Sequence, residues 1–107
     1  MISQLEKLLG TPRDGALLRY SLGLEYAKTG DHARAAQYLR DAVERDPHYS
    51  AAWKMLGKSL AESQRNEEAL AAFNQGIAAA QKKGDRQAEK EMTVFAKRLE
   101  KLGKQPG

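Results

Sequence analysis

Residues 16–49 read ALLRYSLGLEYAKTGDHARAAQYLRDAVERDPHY, and residues 50–83 read SAAWKMLGKSLAESQRNEEALAAFNQGIAAAQKK. Set against each other at an offset of 34, Leu22-Gly23 falls on Leu56-Gly57, Ala27 on Ala61 and Ala35 on Ala69. Similar residues also superpose: Tyr26 on Leu60, Leu39 on Phe73, Ala42 on Gly76 and Val43 on Ile77. Self-similarity at such a fixed period marks an array of stacked supersecondary units.

Each unit reads as two helices. Ala, Leu, Glu, Lys, Arg and Gln fill the segments, and no sustained alternation of β-branched residues argues for a strand. The expected helices are about 2–9, stopped by Gly10; 11–29, entered through Thr11 as N-cap and Pro12 in the first turn; and 31–45, closed by Asp46-Pro47. Further helices are expected at about 50–63, 67–82 and 85–102, with only Gly103 to Gly107 read as a frayed tail. Turns of a few residues force antiparallel neighbours. The fold class is therefore all-α.

The spacing resembles the tetratricopeptide repeat, whose pattern runs W-x2-L-G-x2-Y, then A-x3-F, then a small residue and Pro. The first unit supplies Leu22, Gly23, Tyr26, Ala35, Leu39, Ala42 and Pro47, and the second Trp53, Leu56, Gly57, Leu60, Ala69, Phe73 and Gly76. Gly23 and Gly57, with Ala35 and Ala69, are small where the two helices of a hairpin pass closely. Tyr26, Leu39, Leu60 and Phe73 fill the space beside them, and Pro47 ends a second helix. Arg19 stands where the family places Trp, which leaves Tyr20 or Leu18 to take over its packing. The resemblance implies a right-handed superhelical α-solenoid of antiparallel helix–turn–helix repeats with capping helices.

Such repeats bury their apolar faces only by stacking, and about three are needed for stability. Two repeats here must be completed by their flanks. Ala88, Met92, Phe95, Leu99 and Leu102 are spaced 4-3-4-3 along one face and resemble a capping helix. Ile2, Leu5, Leu8 and Leu9 would cover the other end. The chain thus divides into a leader (1–15), repeat 1 (16–49), repeat 2 (50–83) and a cap with its tail (84–107). A homodimer is the competing way to bury the same surface.

Composition excludes several functions. At 107 residues the chain is one domain's worth, and with no cysteine it has no disulfide framework, thiol nucleophile or thiolate zinc site. No apolar run spans a membrane and no signal-peptide stretch opens the chain, so a cytoplasmic protein is the default expectation. His32 and His48 sit in or beside turns, outside metal-binding spacings, and no phosphate-cradling glycine motif occurs. Ser21, Ser59 and Ser63 have no readable base partner. No catalytic residue, metal or cofactor is expected.

What remains is a surface. In the family, the first helix of each unit lines the concave face. Carried over position by position, this implies Leu17, Tyr20, Ser21, Leu24, Ala27 and Lys28 from the first unit. The second unit would contribute Ala51, Lys54, Met55, Lys58, Ala61 and Glu62. The mixture, apolar on one side and basic on the other, suits a peptide with an apolar anchor and an acidic or C-terminal carboxylate group. The expected function is protein–protein interaction, by an adaptor or assembly factor of bacterial style, with another protein or peptide as partner. A homodimeric scaffold whose groove is filled by its own last helix is the alternative. The Lys and Asn residues of the chaperone-binding carboxylate clamp are replaced by Tyr20, Leu24 and Met55, so that mode is not expected.

Residues 1–81 hold ten Lys/Arg against ten Asp/Glu, so the formal net charge of +4 lies wholly in residues 82–107. Nucleic acid is the partner from another class that this suggests. The acids Glu89, Glu91 and Glu100 on the same helix, and the lack of interleaved aromatics, favour a solvated helix face instead.

Overall fold

The computed structural model describes residues 1–104, which form α1 (Ile2–Glu6), α2 (Ala16–Lys28), α3 (His32–Arg45), α4 (Ser50–Glu62), α5 (Asn66–Lys83) and α6 (Arg86–Lys104). Among these residues there is no strand. Each helix packs on the next along the chain, and α4 also meets α2 and α6. The molecule measures 47 × 33 × 18 Å, its thinnest dimension holding two helix layers.

Three turns share one construction. Gly30, Gln64 and Gly84 adopt left-handed conformations, with φ of 85°, 64° and 73°. The next residue's N–H then reaches back to the helix just ended: Asp31 to the Tyr26 carbonyl (3.0 Å), Arg65 to Leu60 (2.9 Å) and Asp85 to Ala80 (2.9 Å). In two of them an aspartate starts the next helix. Asp31 Oδ1 accepts from the Arg34 N–H and Asp85 Oδ1 from the Ala88 N–H, each at 3.1 Å. The α3–α4 junction is different: Asp46, before Pro47, is extended, and Trp53 donates its indole N–H to the Pro47 carbonyl (2.8 Å).

Glycine sets the closeness of each hairpin. A Cβ built on Gly23 would stand 2.5 Å from Leu39 Cγ, and one on Gly57 would stand 2.6 Å from Phe73 Cε1. The glycines thus receive the large residues of the partner helix, while Ala35 and Ala69 are fully buried beside them. Gly76 does the same for α6, taking the Met92 thioether and the Trp53 Cβ. Leu22, Leu39, Leu56, Leu60, Phe73 and Met92 form the buried centre, with Tyr26, Ala42 and Val43 extending it. Phe73 stacks on Phe95 with ring centroids 5.2 Å apart, which locks α6 onto α5.

The start of the chain departs from expectation. Helix α1 ends at Glu6, and tighter bonds, Leu8 N–H to Leu5 O and Leu9 N–H to Glu6 O, lead to Gly10. Thr11 does not cap α2. Its hydroxyl donates to the Leu8 carbonyl and accepts from the Arg13 N–H, so it closes a turn, and α2 begins only after Gly15. Asp14 explains the delay, because its carboxylate accepts from the Gly10 N–H (2.9 Å) and from the Arg19 fork (3.0 and 2.9 Å). Arg19 also donates to Asp41 at 3.0 Å. The guanidinium therefore fills the family's tryptophan position itself, binding leader, α2 and α3 together, while Leu18 is core and Tyr20 packs elsewhere. The Arg19 bond holds the Asp14 carboxyl well below the usual carboxylate range.

The leader is fastened a second time. Tyr26 and Tyr38, ring-stacked at 5.6 Å, both donate to Glu6 Oε2, at 2.9 and 3.0 Å. Burial, followed by this bond, pushes the Tyr38 phenol up to about 12. At the other end α6 continues through Gly103 to Lys104, where a frayed tail is expected from the sequence, and residues 105–107 lie outside the described part.

Candidate functional site

Helices α2 and α4 lie side by side, and a cavity of about 480 Å³ opens between them. Its walls are Leu24, Ala27 and Lys28 from α2, His32 from the start of α3, and Met55, Lys58, Ser59 and Glu62 from α4. Leu24, Ala27 and Met55 are half-buried and make an apolar floor, whereas Lys28, Lys58 and Glu62 stand exposed on the rim. Spacings of three and four residues explain the grouping, since they place side chains on one helix face.

Of the twelve concave-face residues inferred by position, Leu24, Ala27, Lys28, Met55, Lys58 and Glu62 meet around this cavity. The other six do not line it, Ala51 and Ala61 being half-buried elsewhere on α4. Leu17, in the first turn of α2, is 69% exposed. Tyr20 leans on Tyr49, with ring centroids 4.9 Å apart, and wedges α2 against the α3–α4 turn. Ser21 returns its hydroxyl to the Leu17 carbonyl (2.9 Å), a bond internal to the helix. Lys54 is engaged by Glu91 of α6 at 3.0 Å.

Two wall residues are not among those twelve. His32 had read as a solvated turn residue, but the reversal at Gly30 and Asp31 lays its ring against the cavity. Its Nδ1 is buried without a hydrogen-bond partner, leaving unused capacity in the wall. Ser59 is buried between Met55 and Glu62; its smallness is the only sequence sign of the space it leaves.

The rim cations differ in their commitments. Lys28 lies 3.6 Å from Glu25 on its own helix. Lys58 meets no carboxylate among the described residues and sits over the Phe95 ring, 5.8 Å from its centroid. Helix α6 reaches α4 and α5 but not α2, so it extends the groove wall without closing the cavity. Among the described residues no cluster of three or more His, Asp or Glu side chains is placed to hold a metal ion, and no helix is long and apolar enough to cross a membrane.

Paired helices at a 34-residue period, each with glycine beneath the large residue of its partner, are the geometry expected of one repeat family. The family model described as Tetratricopeptide repeat matches residues 20–84. The chain belongs to the tetratricopeptide repeat family. It is 50% identical over 101 residues to the TPR repeat-containing protein PA0015 of Pseudomonas aeruginosa, an alignment covering 94% of this chain and 96% of the relative. The solution structure of protein BPP2914 from Bordetella parapertussis is 41% identical and superposes with a TM-score of 0.80, covering 95% of this chain and 89% of the other. A tetratricopeptide repeat domain protein from Salinibacter ruber, 28% identical, gives 0.78 over 90% and 96% of the two chains. Tetratricopeptide repeat domains are in general modules for protein–protein interaction.

Proposed function

We propose that this chain is a non-catalytic adaptor or assembly module of a bacterial cytoplasm that captures a peptide or partner helix between α2 and α4. Repeats 16–49 and 50–83 form the binding body, with 1–15 and 84–107 as its caps. The observation that carries this reading is the open cavity with an apolar floor at Leu24, Ala27 and Met55 beneath Lys58, which meets no carboxylate among the described residues. Its volume is that of a small-ligand or anchor-residue pocket. The partner segment carries an apolar side chain for the floor and a carboxylate within reach of Lys58.

A display selection against the purified chain tests this. Enriched sequences should pair a large apolar residue with Asp or Glu, and Lys58→Glu should turn the preference toward Lys or Arg. Met55→Ala should weaken the selected peptides about tenfold or more, as loss of an interface-core anchor does. A selection without enrichment, together with sedimentation at twice the chain's mass, would replace this reading with a homodimer closed over the same groove.

A further inference from the structure

The charge that the sequence concentrates after residue 81 is ordered in space. Projected at about 100° per residue, Arg86, Lys90, Lys97 and Lys101 fall within an arc of about 60°, opposite the Ala88, Met92, Phe95 and Leu99 face. All four are exposed, and none forms an ion pair among the described residues. They make a strip about 22 Å long at the helical rise of ~1.5 Å per residue. Of the acids of α6, Glu91 is neutralised by Lys54 (3.0 Å), Glu89 accepts from the neutral Gln81 amide (3.0 Å), and Glu100 lies at the edge of the strip. Glu89 and Glu100 keep their charges but project about 60° and 40° away from the strip, which leaves its four cations in excess.

We propose that the outer face of α6 docks on the phosphate backbone of a nucleic-acid duplex without reading its sequence. Cations set along about 22 Å can each meet a phosphate of a duplex, whose strands carry one charge per ~3.4 Å of axis. Three of the four cations are lysines, point charges suited to phosphate but depleted at protein–protein interface cores. No aromatic side chain lies on the strip, which removes the stacking platform that single strands use. A bilayer would call for apolar residues beside the charges; of the two exposed on α6, Val94 (49%) borders the strip, whereas Leu102 (56%), expected on the packed face, projects about 100° from it, and Ala88, Met92, Phe95 and Leu99 are packed on the body.

The test is fluorescence anisotropy of a labelled 20-base-pair DNA duplex of arbitrary sequence with the full chain. Four phosphate contacts predict a salt slope near −3.6, so affinity falls roughly a hundredfold between 50 and 200 mM KCl. The double variant Lys90→Gln/Lys97→Gln should reduce that slope by about two, and Arg86→Gln/Lys101→Gln by a similar amount. Met55→Ala, in the groove, should leave duplex binding unchanged. No binding at 50 mM KCl overturns the proposal. So does a slope indifferent to both double variants, or capture by phosphatidylserine vesicles with the duplex ignored.

Discussion

Gln64 holds the left-handed conformation that Gly30 holds 34 positions earlier, with φ of 64° against 85°. The two residues occupy the same place in the same turn, and each donates its N–H three residues back, to Ala61 and Ala27, at 3.0 Å. Only one of them adopts that conformation without cost, because a Cβ disfavours it by roughly 1–2 kcal/mol.

Gln64→Gly should therefore stabilise the chain by about 1 kcal/mol, less what glycine's added freedom returns to the unfolded state. For a chain of this size about 1 kcal/mol corresponds to a Tm rise of about 4–8 °C. Thermal melting followed by circular dichroism checks it, and an unchanged or lowered Tm would refute the strain.

Gly57→Ala should do the reverse. Replacing a helix-interior glycine by alanine ordinarily gains up to about 1 kcal/mol. Here the new Cβ meets the Phe73 ring, which cannot retreat because it stacks on Phe95. Overpacking of this kind costs about 1–3 kcal/mol, so denaturant unfolding should show a net loss. Gly103→Ala, where nothing lies within 4 Å, is the control and should gain stability.

Tyr38 should ionise late, with a midpoint of about 12 in an ultraviolet titration. Its phenol is raised in the folded chain, so the stability it contributes is complete below the unfolded value of about 10 and is lost as pH climbs toward 12. Glu6→Ala should lower the Tyr38 midpoint yet leave it above 10, since burial is the larger cause. The same variant should loosen α1, seen as faster amide exchange in residues 2–6.

The Arg19–Asp14 fork predicts an acid response. Asp14 is depressed in the folded state, so its contribution is present above the unfolded value of about 3.9 and disappears as pH falls below it. Asp14→Asn should be less stable than the parent at neutral pH, and the gap between their melting temperatures should close on acidification. A gap independent of pH would show that the pair is a packing contact alone.

Much of this was legible in the sequence. The 34-residue offset marks residues such as Leu22, Gly23, Leu56 and Gly57 because repetition reports the packing environment, which any single residue reports poorly. The boundaries at Asp31, Arg45 and Ser50 follow from capping and proline chemistry. The start of α2 was not legible, since Thr11-Pro12-Arg13-Asp14 satisfies N-capping rules in isolation, and it is Arg19, itself held by Asp41 22 residues further on, that draws Asp14 into another role. The groove shows the same division. Leu24 and Met55 are found by position, whereas Tyr20 and Lys54 are diverted by Tyr49 and Glu91, partners 29 and 37 residues away. His32 joins the wall through a reversal of the chain that no local pattern announces.

Every helix in this chain touches only neighbours one or two steps away, from α1 on α2 to α6 on α5 and α4. Little chain entropy is spent in closing any of these contacts, a topology that folds quickly. A nucleus formed in either hairpin, α2–α3 or α4–α5, can grow outward one helix at a time. The same locality makes length a free variable: another 34-residue unit inserted between Tyr49 and Ser50 would meet on both sides the surfaces it replaces, and the groove would lengthen while both ends stayed closed.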